Sequence, residues 1–255
     1  MGSPACDVAE MKVYCATIAW RSVHAEHMKC VNQLFRYANL TYRLQNGDAL
    51  IERSRAIIAT HFLRETDADV LVTIDDDVLF ASTSVMKVAE QAMTYDNVAG
   101  LYMTRGNPVR PASMIEEGVK VDLTGLTDLV PIKYAATGFL ATHRRVFEKL
   151  AQGMPLCHPK EEWRFYPFYT PFVANDDDGD PILLSEDYAF AERARMAGFG
   201  MYANPAIRLV HIGEYKYRTE DIGLKIPQEA PLSIVRHGAH GYTTEWVDEP
   251  ELVTA

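Results

Sequence analysis

The chain has 255 residues, of which 48% are hydrophobic and 24% charged, with a formal net charge of −10. That is enough apolar material for one sizeable core, and the charge content is too ordinary for global disorder. The acidic balance argues against non-specific binding to nucleic acid or to anionic membranes.

The four cysteines, Cys6, Cys15, Cys30 and Cys157, form no C-x-x-C pair, which points to reduced thiols in a cytoplasmic protein. The N-terminal "MGSPACDVAEMK" lacks a basic segment leading into an apolar one. No run approaches the roughly 18 apolar residues of a membrane span.

In chain order, "KVYCATIAW" (12–20) reads as a buried strand, and residues 25–39 as a helix with Met28, Val31, Leu34, Phe35 and Ala38 at helical spacing. "LTYRLQN" is a short strand ended by Asn46-Gly47, and Asp48 is placed to cap the helix "ALIERSRAIIATHFLRET". "DVLVTI" (69–74) is almost continuously apolar, as expected of a strand covered on both faces. A helix (84–96) and a strand (97–104) follow. "PIKYAATGFLAT" reads as a strand broken near Gly138, and "HRRVFEKLAQG" as a helix closed by Gly153. Residues 153–182 read as a long loop. "LSEDYAFAERARMAG" is a helix with Ser185 at its cap and Gly198 at its end, and "GMYANPAIRLVHIG" is a final strand. Alternating strands and helices make this an α/β protein with a mostly parallel central sheet flanked by helices and a less regular second half.

Three places invite chemistry. In "IDDDV", three aspartates end a buried strand, where ligands bind in open α/β sheets. In extended chain Asp75 and Asp77 point one way and Asp76 the other, which gives a hard oxygen site suited to Mg2+ or Mn2+. In "LLSEDYAF", Glu186 and Asp187 occupy a helical first turn; such turns mostly stabilise, but here they follow a long loop and an apolar, strand-like "PILL" and can present a general base. His211, at the end of an apolar strand, is an ordinary buried histidine when taken alone, and a metal ligand in company. "NDDDGD" (175–180) fails as a calcium loop: with Gly179 in sixth position, the twelfth is Ser185. Neither a P-loop nor a Rossmann fingerprint is present.

The order of these pieces resembles the nucleotide-sugar-dependent glycosyltransferases of the GT-A fold, in particular the family-2-like bacterial and phage enzymes. The matching stretches run from "KVYCATIA" through "ERSRAIIATHFL", "VLVTIDDDVLF", "AGLYMTR", "AATGFLATHRRVFEKL" and "DGDPILLSEDYAFAERARMAGF" to "IRLVHIG". The resemblance implies a single GT-A-like domain over 12–213, with a nucleotide-sugar half (12–104), an acceptor and catalytic half (105–213), and a C-terminal extension (214–255). It also implies that "IDDDV" acts as the D-x-D motif. Asp77 would bind Mn2+ or Mg2+ directly, with His211 as second ligand, and Asp75 would touch the ribose or the metal through water. Asp76, Thr17, Ile18 and Ala19 would lie along the nucleotide, with Arg55 near it, Arg105 near the donor, and Gly138 allowing close approach of the sugar. Glu186 and Asp187 would form the catalytic acidic motif, Asp187 being the base in an inverting reaction. The implied donor is a nucleoside-diphosphate sugar, UDP-sugar first. The acceptor hydroxyl is open: a glycan, a metabolite, a protein or a modified DNA base.

Two other classes compete. A nucleotidyltransferase making nucleotide sugars also uses acidic metal ligands, but "TIAWRSVHAEH" has no glycine-rich loop after the first strand. A non-catalytic nucleotide-sugar-binding protein is the third reading, and the intact acidic set argues against it.

Overall fold

The computed structural model describes residues 11–104, 110–122, 129–158, 164–213, 233–238 and 241–245. In the first half, β1 (Val13–Ile18), α1 (Ala25–Asn32), β2 (Leu40–Gln45), α2 (Ile51–Glu65), β3 (Val70–Asp75), β4 (Val78–Leu79), α3 (Ser82–Tyr95) and β5 (Asn97–Gly100) follow one another. Then come β6 (Met114–Ile115), β7 (Lys120–Asp122), β8 (Val130–Tyr134), β9 (Phe139–His143), α4 (Arg144–Ala151), β10 (Phe172–Asn175), β11 (Pro181–Leu184), α5 (Glu186–Met196), β12 (Tyr202–Asn204) and β13 (Val210–His211), with β14 (Ser233–His237) and β15 (Gly241–Glu245) last.

Eight strands form the central sheet in the order β2-β1-β3-β9-β5-β12-β8-β6. β2, β1 and β3 are mutually parallel, as are β5 and β12, whereas β9 and β8 pair antiparallel with their neighbours. Six of the eight strands therefore run in one direction, with β8 and β9 reversed, and β9 is threaded between β3 and β5.

Period-two alternation sends the side chains of each strand to opposite faces. On β1, Tyr14, Ala16 and Ile18 join one apolar cluster, while Val13 and Cys15 join the other. The first cluster is closed by α2, α4 and α5 through Ile58, Phe62, Phe147 and Phe190. The second is closed by α1 and α3 through Val31, Val85 and Val88. Both faces are covered, which is why β1 and β3 read as continuous apolar runs.

Several sequence expectations need correction. The first helix stops at Asn32, and a 3-10 turn, Leu34–Arg36, replaces its end; there the Arg36 guanidinium takes the Gln33 carbonyl. Asp48 lies two residues before the cap of α2, which is Leu50; its carboxylate accepts from the Leu50 N–H and from Arg53. The final strand is two, β12 and β13, because Pro205 has no N–H to continue the ladder and Asn204 turns the chain by accepting from the Ala206 N–H. The long loop contains the hairpin β10–β11, with Phe172, Ala174, Ile182 and Leu184 packed inward and Val173 and Leu183 exposed. Its acidic tip is a turn in which the Asp176 carboxylate accepts from the N–H groups of Asp178 and Asp180, and Gly179 takes a φ of +89°.

The break near Gly138 is present: β8 and β9 are two pieces of one chain direction with different neighbours. Part of the C-terminal extension returns to the body, where β14 pairs with β7 and buries Arg236 against the Ile115 carbonyl.

Candidate active site

The carboxyl ends of β2, β1 and β3 meet at a cleft of about 270 Å³, lined by Ile18, Ala19, Trp20, Asp48, Ala49, Ile51 and the three aspartates Asp75, Asp76 and Asp77. The register explains the meeting, since Ile18 pairs with Asp75 on one side and with Gln45 on the other. Strand ends at this edge of an open sheet are where α/β folds bind ligands. Alternation does not hold across the aspartates: β3 ends at Asp75, and the chain turns at Asp76 and Asp77 before β4. All three therefore line the cleft. Burial, with Asp75 next to it, pushes the Asp76 carboxyl above its ordinary range.

Asp77 and His211 come together because β13 pairs antiparallel with β4, setting His211 opposite Val78, and the Ile212 N–H donates to the Asp77 carbonyl at 2.7 Å. His211 Nδ1 lies 2.8 Å from the Met103 carbonyl. A carbonyl only accepts, so Nδ1 carries a proton, and Nε2 faces Asp77 Oδ1, 3.5 Å away. A backbone acceptor fixing the far nitrogen of an imidazole is the usual support of a histidine ligand. Among the described residues no three of His, Cys, Asp and Glu converge as a metal cage. The carboxylate–imidazole pair does fit a hard cation that keeps most of its coordination for phosphate and water.

A second acidic pair lies behind the aspartates and is joined to them by Arg55. This side chain, on α2, is 1% exposed. Its Nη2 contacts both Asp75 oxygens, at 2.9 and 3.2 Å. Its Nε is 3.6 Å from Asp187 and 3.8 Å from Glu186. Burial works against the guanidinium charge, but Asp75, Asp187 and Glu186 together hold its pKa above the ordinary value. Asp187 also accepts from the Thr137 hydroxyl at 2.5 Å. Burial, and then the Asp187 charge, push the Glu186 carboxyl up to about 7.

The Glu186 shift has a consequence for stability. Between its ordinary value of 4.5 and about 7, the folded state holds a proton that the unfolded state has lost. Stability then falls as pH rises through that window. Glu186→Gln removes this slope, so thermal melts should place the variant above the wild type at pH 8 but not at pH 5. Parallel pH profiles of the two proteins would refute it.

Gly138 is required by its neighbours. A Cβ there would collide with the Tyr102 hydroxyl and stand 2.7 Å from Asp75 Oδ2, while the Gly138 carbonyl accepts from the Asp75 N–H at 3.0 Å. Gly138→Ala should cost about 1–3 kcal/mol in urea unfolding, the usual range for overpacking. Adding Tyr102→Phe should recover part of that; no recovery would show that the Tyr102 hydroxyl is not the obstacle.

Of the residues singled out from the sequence, Ile18, Ala19, Asp75, Asp76 and Asp77 share the cleft, and His211 joins Asp77. Arg55, Gly138, Glu186 and Asp187 surround Asp75 from behind. Thr17 is fully buried and gives its hydroxyl to His27 rather than to the cleft. Arg105 lies outside the described residues. Sequence reasoning missed Tyr102, Thr137, His27 and Trp20. Tyr102 is buried among Gly138, Asp75 and the His211 ring, 5.1 Å away, and burial with the nearby carboxylates pushes its phenol well up. Trp20, exposed at the end of β1, carried a usable signal, because a large aromatic at a strand end is a poor core residue.

No protein-family model matches the chain, and neither does any curated protein sequence. Solved structures share its fold. A197 from STIV gives a TM-score of 0.51 at 18% identity, over 80% of this chain and 87% of that one. GalNAc-T7, solved with UDP, GalNAc and Mn2+, gives a TM-score of 0.50 at 12% identity, over 84% of this chain and 46% of its own. At such identities the likeness concerns architecture alone. The chain has a mixed α/β, GT-A-like fold. Among the described residues no helix is long and apolar enough to cross a membrane.

Proposed function

We propose that the protein is a metal-dependent glycosyltransferase of the family-2-like kind, a cytoplasmic enzyme that moves a sugar from a nucleoside-diphosphate sugar, UDP-sugar first, to an acceptor hydroxyl. In this reading residues 12–104 serve the donor, 105–213 serve the acceptor and chemistry, and 214–255 are an extension. The observation that carries it is the pairing of Asp77 with His211, whose Nδ1 is held by the Met103 carbonyl, at the rim of a cleft formed by strand ends.

Asp77 and His211 would hold Mn2+ or Mg2+, which supplies charge for the departing diphosphate. Ile18, Ala19 and Trp20 offer an apolar wall for the nucleoside. Asp187 is the base: it takes the proton of the acceptor hydroxyl as that oxygen bonds to the anomeric carbon. The bond from that carbon to the diphosphate breaks, and the electron pair leaves with the nucleotide. Thr137 fixes the Asp187 carboxylate, and Arg55 balances its charge without reaching solvent.

The test is a thermal-shift screen of nucleoside diphosphates and nucleotide sugars, with and without Mn2+, because a ligand of the native state raises the melting temperature. One nucleotide should shift the protein only when Mn2+ is present. No shift with any of them would overturn the proposal.

A further inference from the structure

We infer that His27, which cannot touch substrate, is the positioning residue that sets the distance between the nucleotide wall and the metal strand; this rests on the glycosyltransferase reading above. His27 lies on α1 and is completely buried. Its Nδ1 is 2.8 Å from the Val78 carbonyl, and its Nε2 is 2.9 Å from Thr17 Oγ1. The carbonyl must accept, so Nδ1–H donates, and Nε2 receives the Thr17 hydroxyl proton. The Phe80 ring meets the imidazole edge-on at 5.6 Å.

The two anchors lie on opposite sides of the three aspartates. Val78 follows Asp77 directly and opens β4. Thr17 precedes Ile18, whose register partner is Asp75. β4 has only two residues, too short to hold itself by its own ladder. On one side it is gripped by β13, through the Ile212 N–H on the Asp77 carbonyl. On the other side the imidazole supplies the hydrogen bond that a neighbouring strand would otherwise give. One rigid ring thereby spans from the strand that lines the nucleoside to the strand that directly follows Asp77.

Packing alone does not account for a histidine here. A leucine would fill an apolar site without the cost of burying two polar nitrogens. That cost is met only where both nitrogens are bonded, as both are.

The test measures Mn2+ and UDP affinities separately, by titration of free Mn2+ and by calorimetry, alongside the melting temperature. His27→Leu should stay folded yet bind Mn2+ in the presence of UDP at least about 10-fold more weakly, the usual loss when a ligand's support is removed. His27→Asn, whose amide nitrogen stands near the place of Nδ1, should recover the Mn2+ affinity but not the UDP affinity. Thr17→Val cuts the other anchor and should lower the UDP affinity alone. Wild-type affinities in a folded His27→Leu protein, or losses in all three variants that merely track melting temperature, would overturn the inference. A wild-type protein that binds neither Mn2+ nor UDP would instead remove the glycosyltransferase reading, and the inference with it.

Discussion

Arg55→Met should destabilise the protein by about 3–5 kcal/mol, the usual cost of removing one partner from a buried ion pair. For a chain of this size that lowers the melting temperature by roughly 6–20 °C. Methionine fills much of the same space, so the loss is chiefly electrostatic. Asp75, Glu186 and Asp187 keep their burial but lose the cation they share. The Glu186 carboxyl, already pushed up to about 7 by burial and the Asp187 charge, loses the guanidinium that opposes that shift and rises further, so the folded state holds a proton that the unfolded state has released. Stability of the variant must therefore fall as pH rises through the carboxylate range. Thermal melts should show a much larger gap from wild type at pH 8 than at pH 5. An equal gap at both would mean that the guanidinium matters for shape rather than charge. Arg55→Lys should rescue little, since a point charge cannot serve three carboxylates from one planar fork.

On the proposed glycosyltransferase reading, Asp77→Asn should lower transferase activity by about three orders of magnitude, roughly 4 kcal/mol of transition-state stabilisation. The fold should hardly notice. The substitution removes one of three adjacent negative charges and leaves the backbone bond to Ile212 in place. The Mn2+-dependent thermal shift should vanish, while the melting temperature without metal stays level or rises. Asp76→Asn is the control. It lies in the same cleft, with His24 and His27 as its charge neighbours, and should cost less than about 10-fold. Equal losses for the two would shift the metal register by one residue.

Much of the architecture was legible because it rests on local pattern. The apolar runs of β1 and β3 state that both sheet faces are covered; of the apolar stripe Leu50, Ile51, Ile57, Ile58 and Phe62 at helical spacing, Ile58 and Phe62 are fully buried while Leu50 and Ile51 are exposed. The acidic candidates were found by position, as charges at the ends of buried strands and in a helical first turn. What escaped was set by contacts distant in sequence. Nothing local says that Thr17 turns to His27, or that Arg55 is enclosed by carboxylates from β3 and α5. The alternation argument failed at Asp76 because a tight turn there ends the extended chain. In the hairpin β10–β11, "PILL" was legible as a strand, while β10 was hidden because it is four residues long and lies in aromatic, acidic surroundings.

The place of β9 has a consequence for how the chain is made. Both sheet neighbours of β5, β9 and β12, are synthesised after it. A nascent chain that has reached Gly100 can pair β1 with β2 and β3, but it leaves Val98 and Ala99 with nothing to pair against. The sheet closes only when β9 slots between two strands already present, and Asp77 finds His211 only more than half a chain length later. Such non-local closure is slow and leaves edges open meanwhile. The ribosome therefore delivers the acidic half of the proposed metal pair long before its imidazole, and a chain truncated before β13 retains much of the sheet while lacking the His211 half of that pair.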